Sequence, residues 1–235
     1  MAKELFEIKH VPRKVLGTPF LKNVTYVFRM SEFVMEDAKL GEYASHLKQK
    51  GYDAMLNYDE GGVLVAKTKG IQILCNRDIF LLNVFADDYK NFDAFKSTLC
   101  ELFHDYSSIV KAKAIEMAHV MKRNEFVLNR LDPKLSVVSK ERFEKAICSS
   151  TFLDAADNGS VQQELKGVGL FAKRSIFETD KSYTLELIVS ATKIEKIPMD
   201  LIDSRLVELN DAIYDMWNTV LSDAIKKAVD THENK

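Results

Sequence analysis

Apolar positions in the first half of the chain switch between two periods. The run Asn23–Phe33 carries Val24, Tyr26 and Phe28 and predicts a strand with one face buried and the other half-buried. From Glu36 to Lys50 the spacing becomes helical through Leu40, Tyr43 and Leu47. Acidic residues open that segment, lysines close it, and Gly51 stands where a left-handed C-cap is wanted. Four short runs follow: Asp53–Tyr58, Val63–Lys67, Ile71–Cys75 and Ile79–Phe85. They are separated by Asp59-Glu60-Gly61-Gly62, Thr68-Lys69-Gly70 and Asn76-Arg77-Asp78, and this turn chemistry predicts an antiparallel meander. Asn91 or Asp93 then opens a second helix, whose apolar face is Phe92, Phe95, Leu99, Leu102, Phe103 and Tyr106. Residues 1–19, with Pro12, Gly17 and Pro19, read as an irregular arm.

The second half opens on an ambiguity. Ile109–Lys122 is rich in helix formers, and Val110, Ala114, Met117 and Met121 fall on one helical stripe. Against this, the octapeptide Val27–Val34 aligns with Val120–Val127, which would make the segment a repeat of the first strand. Ser139–Ile147 predicts a short helix with Phe143 and Ile147 inward. Two strands follow, Val161–Phe177 and Ser182–Thr192, joined by Glu178-Thr179-Asp180-Lys181. A long final helix runs from about Pro198 to Val229, with Leu206, Leu209, Ile213, Trp217, Val220, Leu221 and Ala224 as its apolar stripe. The order strand, helix, sheet, helix thus recurs. The expected fold is α+β: a tandem duplication of that unit, helices packed on one side of a curved sheet. The repeats are residues 1–107, with the arm, and 108–235, with Asn129–Val138 as an insertion.

The stretch Tyr183-Thr184-Leu185-Glu186-Leu187 and the helix Leu206–Trp217, continuing to Leu221-Ser222-Asp223-Ala224, resemble the end of a sporadically distributed bacterial family of about this length and unassigned function. Its final helix follows L-x-x-L-H-x-x-I-x-x-x-F; here Asn210 replaces the His and Trp217 the Phe. The resemblance covers the last fifth of the chain and implies a two-repeat α+β fold without assigned catalytic residues.

Charge narrows the partners. Lys and Arg total 33 against 35 Asp and Glu, so no global field draws the chain to nucleic acid or an anionic membrane. A local basic cluster is the exception: Lys111, Lys113, Lys122, Arg123 and Arg130, with Lys173 and Arg174 on a neighbouring strand and Phe126 and Phe171 near enough to stack bases. Glu116, Glu125, Glu164 and Glu178 are interleaved, which favours an ordinary solvated face. The three cysteines, Cys75, Cys100 and Cys148, are dispersed and show no metal spacing. With no secretory or membrane-spanning pattern in the sequence, a reduced cytoplasmic protein is expected.

Catalytic motifs are harder to find. Gly167–Ser175 mimics a phosphate loop, but Ala172 stands where a Gly should precede the lysine. Arg174 stands where a magnesium-binding hydroxyl should follow, and Ile176 and Phe177 continue a strand. A glycine-permitted bend or bulge explains the segment better. His10, His46, His104, His119 and His232 include no i, i+4 pair; His104 and His119 could meet, but lack a third ligand. Paired carboxylates at Glu36-Asp37, Asp59-Glu60 and Asp87-Asp88 fall at helix starts and turns. No catalytic residue, metal or cofactor is expected. The favoured reading is a non-enzymatic binding or assembly protein with a protein partner or a second copy, using its sheet face or the helix residues Leu206, Ile213, Trp217 and Val220. The alternatives are nucleic-acid binding by the basic cluster and a small-ligand pocket lined by Tyr26, Tyr43 and Tyr58.

Overall fold

The structure is a computed structural model and describes residues 6–8, 10–11, 20–33, 37–57, 62–76 and 78–231. In chain order the elements are β1 (Leu21–Ser31), α1 (Asp37–Gln49), β2 (Asp53–Asn57), β3 (Val63–Thr68), β4 (Ile71–Cys75), β5 (Ile79–Phe85) and α2 (Phe92–Ile109). They continue with β6 (Ala114–Asn129), α3 (Lys140–Ile147), α4 (Ser150–Ala155), β7 (Ser160–Leu165), β8 (Val168–Glu178), β9 (Ser182–Pro198), α5 (Ile202–Val220) and α6 (Asp223–Thr231). The fold class is α+β, helices packed against antiparallel sheet. Two compact units divide it. The meander unit is Asn23–Val120 with Thr192–Asn210; the terminal unit is Met121–Ala191 and Asp211–Lys235 with the residues up to Lys22. Strands β6 and β9 contribute a segment to each.

In the meander unit the strand order is β2-β3-β4-β5-β1, followed by the first half of β6 and the second half of β9. Pairing from β2 to β5, and of β5 with β1, is antiparallel throughout. Alternate side chains go to the helix-covered face, where Val24, Tyr26, Phe28, Leu64, Ile73, Phe80 and Leu82 are fully buried or nearly so. The rings interlock with the helices: Phe28 lies 4.3 Å from Phe103, Phe80 lies 5.3 Å from Phe103, and Tyr43 lies 5.1 Å from Tyr106, centroid to centroid. The Tyr43 hydroxyl donates to the Leu102 carbonyl at 2.9 Å and ties α1 to α2. Asn91 caps α2 by accepting from the Ala94 amide at 2.8 Å.

The terminal unit orders the remaining parts of β6 and β9 beside β8 and β7. Phe126, Leu170, Ala172, Leu185, Leu187 and Val189 are buried there. Phe143 of α3 stacks on Tyr183 at 6.2 Å, and Phe152 of α4 is fully buried beside Phe6 at 6.3 Å.

Several sequence expectations change. Residues 109–122 become a helix end and a strand. Lys111 takes φ +54°, the Ala112 amide donates to Ser107 O at 2.9 Å, and β6 starts at Ala114 with Ile115, Ala118 and Val120 buried. Pairing and burial override the helical composition. Of the aligned octapeptides, Val27–Ser31 lies in β1 and Val120–Val127 in β6; Val34 lies outside the described residues.

The segment Val161–Phe177 is a hairpin rather than one strand. Lys166 and Gly167 take φ +51° and +74°, the handedness a two-residue turn between twisted strands requires. The bend expected at Gly167 is therefore a full reversal. The long final helix is two helices. The Ser149 amide donates to Val220 O at 2.8 Å, the Ser222 amide donates to Ile147 O at 2.8 Å, and Leu221 bridges Cys148. Those backbone bonds replace one turn of helix, and Ser222 Oγ then caps α6 through the Ile225 amide at 3.3 Å.

Candidate functional site

The face of the meander sheet opposite its helix-covered side carries a continuous pattern of side chains among the described residues. Side chains in register on neighbouring antiparallel strands share a face, so the pairings place residues directly. Met55 of β2 faces Val65 of β3, Val65 faces Leu74 of β4, Leu74 faces Leu81 of β5, and Leu81 faces Val27 of β1. These five side chains form one straight apolar row across five strands. Met55 is 64% exposed, and the other four are half-buried.

A polar row runs beside it. Asp53 faces Lys67, Lys67 faces Gln72, Gln72 faces Asn83 and Asn83 faces Thr25. Asn83 Oδ1 accepts from Thr25 Oγ1 at 3.0 Å and from Asn23 Nδ2 at 2.6 Å, fixing the inner end of that row. The surface is thus an apolar band edged by a charge pair and amides.

Sequence reasoning missed this band because β3, β4 and β5 are apolar on both faces, which reads as a strand buried on both sides. The usable signal was the turn spacing. Counting register from Thr68-Lys69-Gly70 and Asn76-Arg77-Asp78 assigns Val65, Leu74 and Leu81 to one face.

A groove of about 550 Å³ on the same unit is lined by Glu42, Ser45, His46, Gln49, Asp105, Ser108 and Ile109. His46 Nε2–H donates to Asp105 Oδ2 at 2.9 Å, and Lys50 Nζ reaches Asp105 at 2.6 Å and Glu101 at 2.5 Å. Burial raises the Asp105 carboxyl, but the bonds from Lys50 and His46 outweigh it and hold the group below its ordinary range. The result is a charge chain across α1 and α2.

Nearby, Cys100 Sγ donates to Asp203 at 3.1 Å and His104 Nε2 lies 3.8 Å from the same carboxylate. Burial, aided by Asp203, pushes the Cys100 thiol up to about 12, which makes it a poor nucleophile. His119 bonds Thr192 Oγ1 at 2.7 Å, and His10 Nδ1 bonds Asp215 at 2.9 Å. Among the described residues no group of three or more His, Cys, Asp or Glu is arranged to hold a metal ion.

The basic residues singled out in the sequence are dispersed in role. Lys111 and Lys113 are exposed around the α2–β6 turn of the meander unit. In the terminal unit Arg123 pairs with Glu186, and Arg174 pairs with Glu144 while lying over the Phe152 ring at 5.8 Å. Arg130 reaches Glu178 at 3.1 Å and sits 4.7 Å above the Tyr183 ring. Lys173 is exposed on β8 and Lys122 half-buried on β6. Phe126 is buried against Phe20 at 4.5 Å. On the final helix, Leu206, Ile213 and Val220 are at most 1% exposed within the chain itself, while Trp217 keeps part of its surface. Tyr26 and Tyr43 are fully buried in the core, and Tyr58 lies outside the described residues.

No helix among the described residues is long and apolar enough to cross a membrane. No family model matches the chain, and no curated protein matches it. Among solved structures a chain described as "KH domains" is similar over 86% of this chain and 63% of its own length, at 12% identity and a TM-score of 0.21. The chain therefore spans less than two thirds of that structure.

Proposed function

We propose that this is a non-enzymatic binding and assembly protein that docks another protein chain on the open face of its meander sheet. The observation that supports the reading is the apolar row Met55–Val65–Leu74–Leu81–Val27, carried on five paired strands and bordered by Asp53, Lys67, Gln72 and Asn83. Such a band gains about 25 cal/mol per Å² when a partner covers it, and its polar border supplies orientation. Leu206, Ile213 and Val220 serve the protein's own core, so the sheet face is the surface we assign to the partner. Arg123, Arg130 and Arg174 are neutralised by carboxylates, which leaves less charge for a nucleic-acid backbone.

The test is a photo-crosslinking residue placed at Leu74 in the cell, with Lys140 at the start of α3 as control. A defined protein adduct from the Leu74 position alone supports the reading. The absence of any protein adduct there, or an adduct to nucleic acid with steeply salt-dependent binding, overturns it.

A further inference from the structure

We infer that the partner on this face is a second copy of the chain, stacked sheet on sheet about a two-fold axis that runs along β4 beside Leu74. This deepens the docking reading above and rests on it. The strand order β2-β3-β4-β5-β1 has β4 at its centre. Rotation about an axis along β4 therefore lays β2 of one copy over β1 of the other, β3 over β5, and β4 over β4. Such a contact is self-complementary by symmetry, and aligned stacking is an ordinary way for two sheets to pack.

The apolar row fits itself in this arrangement. Met55 meets Val27, Val65 meets Leu81, and Leu74 meets Leu74 on the axis. A longer side chain thus meets a shorter one everywhere except at the centre, which lets the two layers interdigitate. Rotation about the perpendicular axis, along the row, would set Met55 on Met55 and Val65 on Val65. That crowds one site and leaves a gap at the next.

The polar border selects the same axis. Asp53 meets Thr25, Lys67 meets Asn83, and Gln72 meets Gln72. Each charge then faces a neutral side chain, and no like charges are opposed. The perpendicular axis would carry Lys67 onto Val63 and Asn83 onto Ile79, which lie two positions along β3 and β5 from Val65 and Leu81 on the same face. Polar groups would be covered there by apolar ones. Five strands about 4.8 Å apart, each about 20 Å long, make a face of about 480 Å². Two such faces bury about 1,000 Å², the lower bound for a specific interface, so the dimer is weak and concentration-dependent.

The experiment uses the full chain, whose native cysteines are buried. With a short bismaleimide, Leu74→Cys is expected to link to itself. Mixed Met55→Cys and Val27→Cys copies are expected to link to each other about tenfold faster than Met55→Cys links to itself, because the two copies of position 55 stand about 19 Å apart. In sedimentation velocity, Leu74→Lys places two ammonium groups on the axis and is expected to weaken dimerisation about a hundredfold. Met55→Lys, at an exposed position, is expected to weaken it about tenfold with unchanged circular dichroism. A wild-type chain that is monomeric at its highest soluble concentration overturns the inference, as does Met55→Cys linking to itself faster than to Val27→Cys. A photo-crosslinker at Leu74 separates this failure from that of the docking reading. An adduct holding peptides of this chain alone, at twice its mass, supports the dimer. An adduct to a different protein from a monomeric chain overturns the dimer and leaves the docking reading standing; a monomeric chain with no adduct overturns both.

Discussion

Asp88 lies across Gly70 so closely that a Cβ added to Gly70 would stand 1.7 Å from Asp88 Oδ2 and 2.6 Å from Asp88 Cβ. Gly70 closes the β3–β4 turn at φ +74°, and its carbonyl accepts from the Phe85 amide at 2.8 Å. This turn holds the register that lines up Val65, Leu74 and Leu81.

Gly70→Ala is therefore expected to cost about 2–3 kcal/mol: roughly 1–2 for the left-handed backbone, the rest for displacing Asp88. Made in an Asp88→Gly background, which removes the Cβ at 2.6 Å along with the carboxylate, Gly70→Ala should lose the steric part and keep the backbone part. Urea unfolding of the single and double variants measures both. A single variant as stable as wild type would mean that the turn does not hold this geometry.

How much of this was legible in the sequence depends on what set each element. The meander, α1 and α2 could be read because Gly51, Gly70, Asn76 and Asn91 act locally, through a cap or a turn within a few residues. The break between α5 and α6 could not. It arises from bonds of Ser149 to Val220 and of Ser222 to Ile147, groups remote in sequence, while the apolar stripe runs through Leu221 without interruption. Strand β6 was open for the same reason, since only its neighbours bury Ile115 and Val120. The candidate site was half legible: its residues were in the predicted strands, but their common face emerges only from register.

Lys193 is the sharpest electrostatic commitment in the meander unit. Its side chain is 8% exposed, with Nζ 2.7 Å from Glu208 and 3.7 Å from Glu195, and Arg205 shares Glu208 at 2.8 Å. Burial raises the Glu208 carboxyl, but bonds from Lys193 and Arg205 outweigh it and lower the group overall. Glu208→Gln should cost about 3 kcal/mol, because it leaves the buried ammonium only the longer contact to Glu195. Lys193→Met with Glu208→Leu should cost clearly less, since neither charge is then left alone. Thermal or urea unfolding of the pair decides this; equal losses would show that packing, not charge, dominates there.

The Asp105 chain predicts a pH dependence. The folded carboxyl is held below its unfolded value of about 3.9, so its contribution to stability is complete above that value. It is lost as pH falls through the lowered folded value. Asp105→Asn should thus be less stable than wild type at pH 6, and the gap should close below about pH 4. Chemical unfolding at a series of pH values tests the sign. A gap that widens on acidification would contradict the arrangement of Lys50 and His46 around this carboxylate.

The cysteines predict a kinetic order. Cys75 is fully buried on β4, Cys148 is 1% exposed and Cys100 9% exposed. Burial pushes the Cys148 thiol up to about 12 and the Cys75 thiol upward as well. At pH 8 the thiolate fraction of each is then too small for direct attack on an aromatic disulfide reagent. The native protein should be nearly silent to that reagent, and all three cysteines should react in denaturant. In low denaturant Cys148 should be labelled before Cys75. Cys148 sits at the α3 end, held by its bridge to Leu221, and can be uncovered by opening the short helices α3 and α6 alone. Cys75 needs the meander core of Phe80 and Tyr106 to come apart. Mass spectrometry of the labelled peptides gives the order, and Cys75 reacting first would place the weakest part of the fold in the meander instead.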